Sequence, residues 1–140
     1  MLSVDNGTLE WQWQCNGHIF APLVQAKGEI LVCCHSANKT GTLVVLDREN
    51  KKEKFVYSLA SAVTGSPFVQ EGENLAILFD ISGCCHLLSF NDENVGCHYQ
   101  VKQQLTRIEG DVFSSPVVLE NLLFIGCRDN YFYCFEILDN

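Results

Sequence analysis

Two Cys-Cys-His triplets are the part of this sequence whose residue types could do chemistry. They are Cys33-Cys34-His35 and Cys84-Cys85-His86, in a chain of 140 residues with 8 cysteines. Thiolate and imidazole are preferred zinc ligands, and paired thiols also carry redox chemistry. Each kind of site requires the side chains to converge, so the elements that position the triplets decide between a shared site and ordinary packing.

The composition is that of an acidic globular protein. Hydrophobic residues make up 47% and charged residues 19%, and the net charge is −8. The cations gather only in Arg48–Lys54, a run that mixes both signs, so we expect no nucleic-acid partner. No apolar run reaches the ~18 residues of a membrane span, and no secretory signal is recognisable. Eight cysteines without such a signal predict a cytoplasmic protein with no membrane partner.

A repeat of about 44 residues organises the chain. An asparagine followed five positions later by an aromatic residue recurs three times, at Asn6/Trp11, Asn50/Phe55 and Asn94/Tyr99. A proline after a small residue marks each unit, at Pro22, Pro67 and Pro116. Three units in one register predict a repeat architecture.

Short apolar runs broken by Gly, Asn and Asp indicate strands within each unit. The first unit predicts Leu9–Gln14, Ile19–Gln25, Glu29–Cys34 and Thr42–Leu46. The second predicts Glu53–Leu59, Ser66–Gln70, Asn74–Phe79 and Cys85–Phe90, and the third predicts Cys97–Gln103, Ser115–Leu119, Leu122–Cys127 and Tyr131–Ile137. Four strands in such a unit are typical of a propeller blade. We therefore predict an all-β protein of three four-stranded blades, at about 2–47, 48–92 and 93–140.

Two stretches resemble the quinoprotein (PQQ-like) propeller repeat. Asp5–Trp11 is similar to its turn and tryptophan, and Phe113–Glu136 is similar to its other half. The sequence departs from that pattern at Phe55 and Tyr99, which replace the tryptophan, and at two glycine positions, which Lys51 and Val95 occupy.

The last third also resembles the C-terminal repeats of the beta-alanine-activating enzymes, relatives of the acyl-CoA synthetases. This resemblance implies a parent acid-thiol ligase that uses ATP, magnesium and phosphopantetheine, with its adenylation and carrier domains outside these residues. It assigns no cofactor to this chain.

Three blades do not close a propeller, because closed rings need about four or more. Two sheet faces would remain bare, so we expect an incomplete propeller that pairs with neighbouring domains of a longer chain, with another protein, or with itself through the open blade faces.

The triplets fall at different places in the repeat, because Cys33 and Cys34 end a predicted third strand whereas Cys84 and Cys85 begin a predicted fourth strand. Cys34 aligns instead with Cys127. Adjacent residues on a strand point to opposite faces, so neighbouring cysteines cannot share a metal ion there. Buried free thiols are the favoured interpretation. A zinc set drawn from Cys84, Cys85, His86, Cys97 and His98 remains the alternative, without the usual ligand spacing. We assign no catalytic, cofactor-binding or metal-binding residue.

The other chemically capable residues have structural interpretations. We expect His18 in a turn or on the surface, Ser114 and Ser115 at the start of a strand, and Asp80 and Asp129 bonding backbone N–H groups in turns. The recurring aromatics Trp11, Phe55 and Tyr99 are expected to pack in or between blades.

The sequence thus favours a non-catalytic propeller segment that binds or positions other domains. One alternative is a fragment of a PQQ-dependent dehydrogenase, a class that can place an adjacent-cysteine disulfide against the quinone. The calcium-ligating acids and signal peptide of that class are not recognisable here. The other alternative is an unrelated cytosolic propeller scaffold.

Overall fold

The computed structural model describes residues 7–70, 72, 74–93 and 96–137, and these residues form three antiparallel sheets without an α-helix. The first sheet contains β1 (Val24–Ala26), β2 (Glu29–His35), β3 (Gly41–Asp47) and β4 (Lys52–Leu59). The second contains β5 (Phe68–Gln70), β6 (Leu75–Phe79), β7 (Cys84–Glu93) and β8 (Gly96–Arg107). The third contains β9 (Val117–Leu119), β10 (Leu122–Gly126) and β11 (Phe132–Glu136). In each sheet, strands that are consecutive in sequence are neighbours.

Prolines before strands and residues in left-handed conformations shape the hairpins. Pro67 and Pro116 lie immediately before β5 and β9, where a missing N–H costs no ladder hydrogen bond. Lys27 and Glu120, which follow β1 and β9, take left-handed conformations with φ of 45° and 56°. Such residues fit the tight reversals that join the first two strands of a sheet.

The second sheet lies between the other two. Ala76 and Leu78 of β6 pack with residues of the first sheet, whereas Leu75, Ile77 and Phe79 of the same strand pack with residues of the third. This alternation is what a strand with two buried faces requires. All five residues are buried, so the second sheet forms the centre of the molecule.

Sheets and sequence units are offset by one strand. The first unit ends at Asp47, but the first sheet takes its fourth strand, β4, from the beginning of the second unit. The second sheet likewise takes β8 from the third unit. The first and second sheets are therefore each completed by the unit that follows, whereas the third sheet has three strands among the described residues.

The N-terminal segment differs from the prediction. Residues 10–15 form no strand, so the predicted strand Leu9–Gln14 was wrong. Instead Trp11, Trp13 and Cys15 lie over the outer face of the first sheet, the face that bears Val32 and Val44. Burial of large aromatic surface favours this placement over strand pairing. None of the described residues forms a helix that could cross a membrane.

Candidate functional site

The first Cys-Cys-His triplet is divided between two faces of β2. Cys33 packs between the first and second sheets, whereas Cys34 lies on the outer face, near Trp11 and Cys15. Burial raises the pKa of both thiols to about 12, which keeps them protonated at neutral pH. The prediction of buried free thiols is confirmed for this pair.

The second triplet is divided in the same way. Cys85 packs against the third sheet and its burial raises its pKa to about 12. His86 is its neighbour on β7 and therefore points toward the first sheet, where it meets Tyr57 of β4. The two residues of this triplet that share a face are Cys84 and His86.

A buried polar cluster surrounds His86. Its Nε2 atom lies 3.0 Å from Oδ2 of Asp80, and its Nδ1 atom lies 3.2 Å from the Tyr57 hydroxyl. Asp80 and His86 each expose only 1% of their surface. The cluster joins the first and second sheets through polar contacts beside the buried apolar residues that pack between them.

Three donors hold the Asp80 carboxylate. Besides His86, the Ser82 hydroxyl donates to Oδ1 at 2.6 Å and the backbone N–H of Cys84 donates to the same atom at 3.2 Å. Burial alone would raise the pKa of Asp80, but these hydrogen bonds and the nearby imidazole outweigh it and lower the pKa below its ordinary value. Asp80 is therefore an ionised carboxylate in a buried position.

Gly83 makes the turn that brings Cys84 to Asp80. Its φ is +81°, and a Cβ atom there would lie 2.2 Å from the backbone oxygen of Ile108. A side chain at this position would collide with backbone, so glycine is required. Cys84 is half-buried, and its sulfur lies within 4.8 Å of ligand atoms of Asp80 and His86.

The zinc set that the sequence left as an alternative is only partly brought together. Cys84 and His86 converge, but Cys85 faces the third sheet. Cys97 and His98 lie on β8, with their side chains outside the described part of the structure. Sequence reasoning gave Asp80 a turn role, which is confirmed by its bond to the Cys84 N–H, and missed its second role beside His86. The available signal was an aspartate at the turn with cysteine and histidine four and six positions later.

The remaining candidates have the structural roles that were predicted. Exposed His18 exchanges two backbone hydrogen bonds of 2.8 Å with His35. The Ser114 hydroxyl donates to the Gly126 carbonyl, and Ser115 accepts from the backbone N–H of Ser66.

The aspartate and aromatic predictions are confirmed where the structure describes them. Asp129 accepts from the Tyr131 N–H. Trp11 and Phe55 pack on apolar clusters, and the Tyr99 side chain lies outside the described part.

One face of the third sheet is apolar, and none of the residues that the structure describes packs over it. We call it the open face, and its large apolar residues are Val117, Leu119, Leu122, Phe124 and Phe132. Val117, Leu119 and Phe132 are 58%, 64% and 69% exposed. Phe124 and Phe132 stack with ring centroids 5.6 Å apart and border a groove of about 500 Å³. The opposite face of the same sheet is packed against the second sheet.

Comparison with curated proteins finds homology to beta-alanine-activating enzymes. The enzyme of Homo sapiens is 61% identical over 36 residues, which are 26% of this chain and 3% of the relative. The enzyme of Danio rerio is 28% identical over 112 residues, 76% of this chain and 9% of the relative. The chain thus spans less than a tenth of the length of these relatives. No protein-family model matches the sequence.

Among solved structures, BamB from Moraxella catarrhalis has the same fold. It superposes with a TM-score of 0.68 at 18% identity, covering 94% of this chain and 37% of the BamB chain. BamB is a β-propeller, so the prediction of an all-β, incomplete propeller is confirmed. The finer prediction, that the repeats are of the PQQ-like type, stays a prediction.

Proposed function

We propose that this chain is a propeller segment that acts by docking, and that the open face receives a further blade of a larger propeller. The observation that carries the proposal is a contrast within the described part of the chain: its residues cover both faces of the second sheet but only one face of the third. Propeller blades bury their faces against neighbours, and an uncovered apolar face of this kind marks an interaction surface.

The superposition with BamB supports a blade as the occupant. This chain covers 37% of that propeller, so most of the BamB chain has no counterpart among these residues. A blade presents a sheet face of the size and apolar character that the open face offers. Covering Val117, Leu119 and Phe132 would contribute about 3–6 kcal/mol, at about 1.5–3 kcal/mol for each fully buried side chain and allowing for partial exposure.

The homology to beta-alanine-activating enzymes supports a proposal for the longer protein that contains this segment. We infer a longer adenylate-forming protein that activates an acid with ATP and passes it to a carrier thiol, in which the propeller positions the catalytic domains. Under this proposal the chain by itself supports no beta-alanine-dependent exchange of pyrophosphate into ATP. Such exchange by the purified chain would show that it is more than a docking module.

The docking proposal is tested with a double variant of the open face, Val117→Ser with Phe132→Ser. Its matched control is Val56→Ser with Phe20→Ser, which removes the same side chains from exposed positions elsewhere, at 51% and 64% exposure. Binding of an apolar fluorescent dye and light scattering after gel filtration are measured for both variants and the wild type.

We expect the wild type to bind dye and to associate without a fixed stoichiometry, and we expect only the open-face variant to lose both properties. A monodisperse wild-type monomer without dye binding would contradict the proposal. A discrete dimer that the open-face variant abolishes would identify a second copy, rather than a further blade, as the occupant and would also overturn it.

A further inference from the structure

We propose that Asp80, Cys84 and His86 form a zinc site at the interface of the first and second sheets. This inference is separate from the docking function, because it concerns the inner face of β7 and not the open face. Its starting point is geometric. One ligand atom from each of the three residues lies within 4.8 Å of the other two.

The distances suit a tetrahedral ion. Zinc bonds of about 2.0 Å to nitrogen and oxygen and about 2.3 Å to sulfur place neighbouring ligand atoms about 3.3–3.6 Å apart. The Asp80 and His86 atoms are already 3.0 Å apart, so they need to separate only slightly, while the Cys84 sulfur, within 4.8 Å of both, needs to approach by at most about 1.5 Å. Rotation of a half-buried cysteine side chain supplies that movement.

The donor set selects the kind of metal. A thiolate with an imidazole favours zinc over calcium or magnesium, which prefer oxygen ligands. The thiolate and the carboxylate together carry two negative charges, so bound Zn²⁺ would leave the buried site neutral. Three protein ligands leave the fourth position for water, and half-buried Cys84 gives that position access to solvent.

The surrounding residues are arranged as outer partners of a zinc site. A metal-bound histidine usually donates its second ring N–H to a neighbouring acceptor. With Nε2 on the metal, Nδ1 of His86 would donate to the Tyr57 hydroxyl, which lies at 3.2 Å. The Ser82 hydroxyl and the Cys84 N–H already hold Oδ1 of Asp80, which leaves Oδ2 for the ion.

The experiment uses the metal-stripped chain titrated with Zn²⁺ against a chromophoric chelator, and with Co²⁺ followed by absorption. We expect one ion per chain and a thiolate-to-cobalt charge-transfer band. Cys84→Ser should abolish the band and weaken zinc binding. Because Cys84 is half-buried, we expect this variant to keep its fold, which circular dichroism checks. Cys127→Ser is the matched control, because Cys127 is also half-buried and lies near an aspartate, Asp129, at the turn of the third sheet.

Tyr57→Phe separates a metal site from a purely structural cluster. Loss of an outer partner weakens metal binding about 10–100-fold, so we expect a loss of that size with the charge-transfer band retained. Absence of zinc uptake at micromolar concentration would overturn the proposal. Zinc uptake that is unchanged in Cys84→Ser would place the ion elsewhere and overturn the proposal. Loss of zinc uptake in Cys127→Ser would overturn it for the same reason.

Discussion

Replacing Asp80 with asparagine tests whether the buried cluster stabilises the contact between the first and second sheets. The substitution keeps the shape of the side chain but removes the charge from a group that is 1% exposed and accepts three hydrogen bonds. Hydrogen bonds to an ionised group contribute about 1.5–3 kcal/mol each, against about 1 kcal/mol for neutral pairs. Part of that difference is offset because a neutral amide is easier to bury than a carboxylate. We therefore expect Asp80→Asn to lower the free energy of unfolding by about 2–4 kcal/mol.

The assay is urea unfolding of the metal-free chain, followed by circular dichroism in the presence of a chelator. With a urea dependence of about 2 kcal/mol per molar, the expected loss moves the midpoint down by about 1–2 M. Asp129→Asn is the control, because Asp129 lies at the corresponding turn of the third sheet but outside the buried interface. A midpoint for Asp80→Asn equal to that of the control would refute the reasoning.

The pH dependence gives the prediction a second readout. The pKa of Asp80 in the folded chain lies below its ordinary value of 3.8. Its contribution to stability is therefore fully present above that ordinary value and is lost as pH falls through the lower, folded-state pKa. The stability gap between wild type and Asp80→Asn should persist from pH 7 to about pH 5 and narrow below about pH 4. A gap that stays constant down to pH 3 would show that the carboxylate charge is not its source.

Two further predictions concern the turn at Gly83 and the reactivity of the thiols. Gly83→Ala should destabilise the fold more than Gly28→Ala in thermal melts. Both residues have φ of +81°, a conformation that costs an alanine about 1–2 kcal/mol. Of these two positions, only at Gly83 would the new Cβ also meet backbone, at the Ile108 oxygen. Equal losses would show that the turn shifts freely. Iodoacetamide at pH 8 should label exposed Cys134 in the native chain and leave Cys33 unlabelled until urea is added, because burial raises the pKa of Cys33 to about 12. Mass spectrometry of the peptides measures this, and equal native labelling of the two would contradict the buried placement.

The sequence predicted what depends on local pattern. The hairpins, the prolines before strands and the division of Cys33 and Cys34 between two faces follow from the two-residue period of a strand and from turn chemistry. The fold class follows from their recurrence. These features need no knowledge of which sheets touch.

What the sequence did not predict depends on contacts between distant segments. Trp11 and Trp13 alternate with polar residues as in a strand, but they pack on the outer face of the first sheet, a contact with a distant segment that the local pattern does not encode. The partnership of His86 with Tyr57 required knowing that β4 closes the first sheet and faces the second. Asp80 fits the pattern of a turn residue that bonds a backbone N–H. Because that local role already explained an aspartate there, the sequence did not predict its contact with the His86 imidazole.

The one-strand offset between units and sheets affects how such an array could gain or lose length. Excision of residues 48–92 removes β4 from the first sheet, but it also brings the strand that begins the next unit, β8, into the place that β4 had occupied. The joint falls in the connection after β3, so neither sheet core is cut. Removal of a whole period therefore leaves the first sheet with a strand available for its fourth position, whereas a deletion that followed the bounds of the second sheet would remove β8 and leave β4 in place.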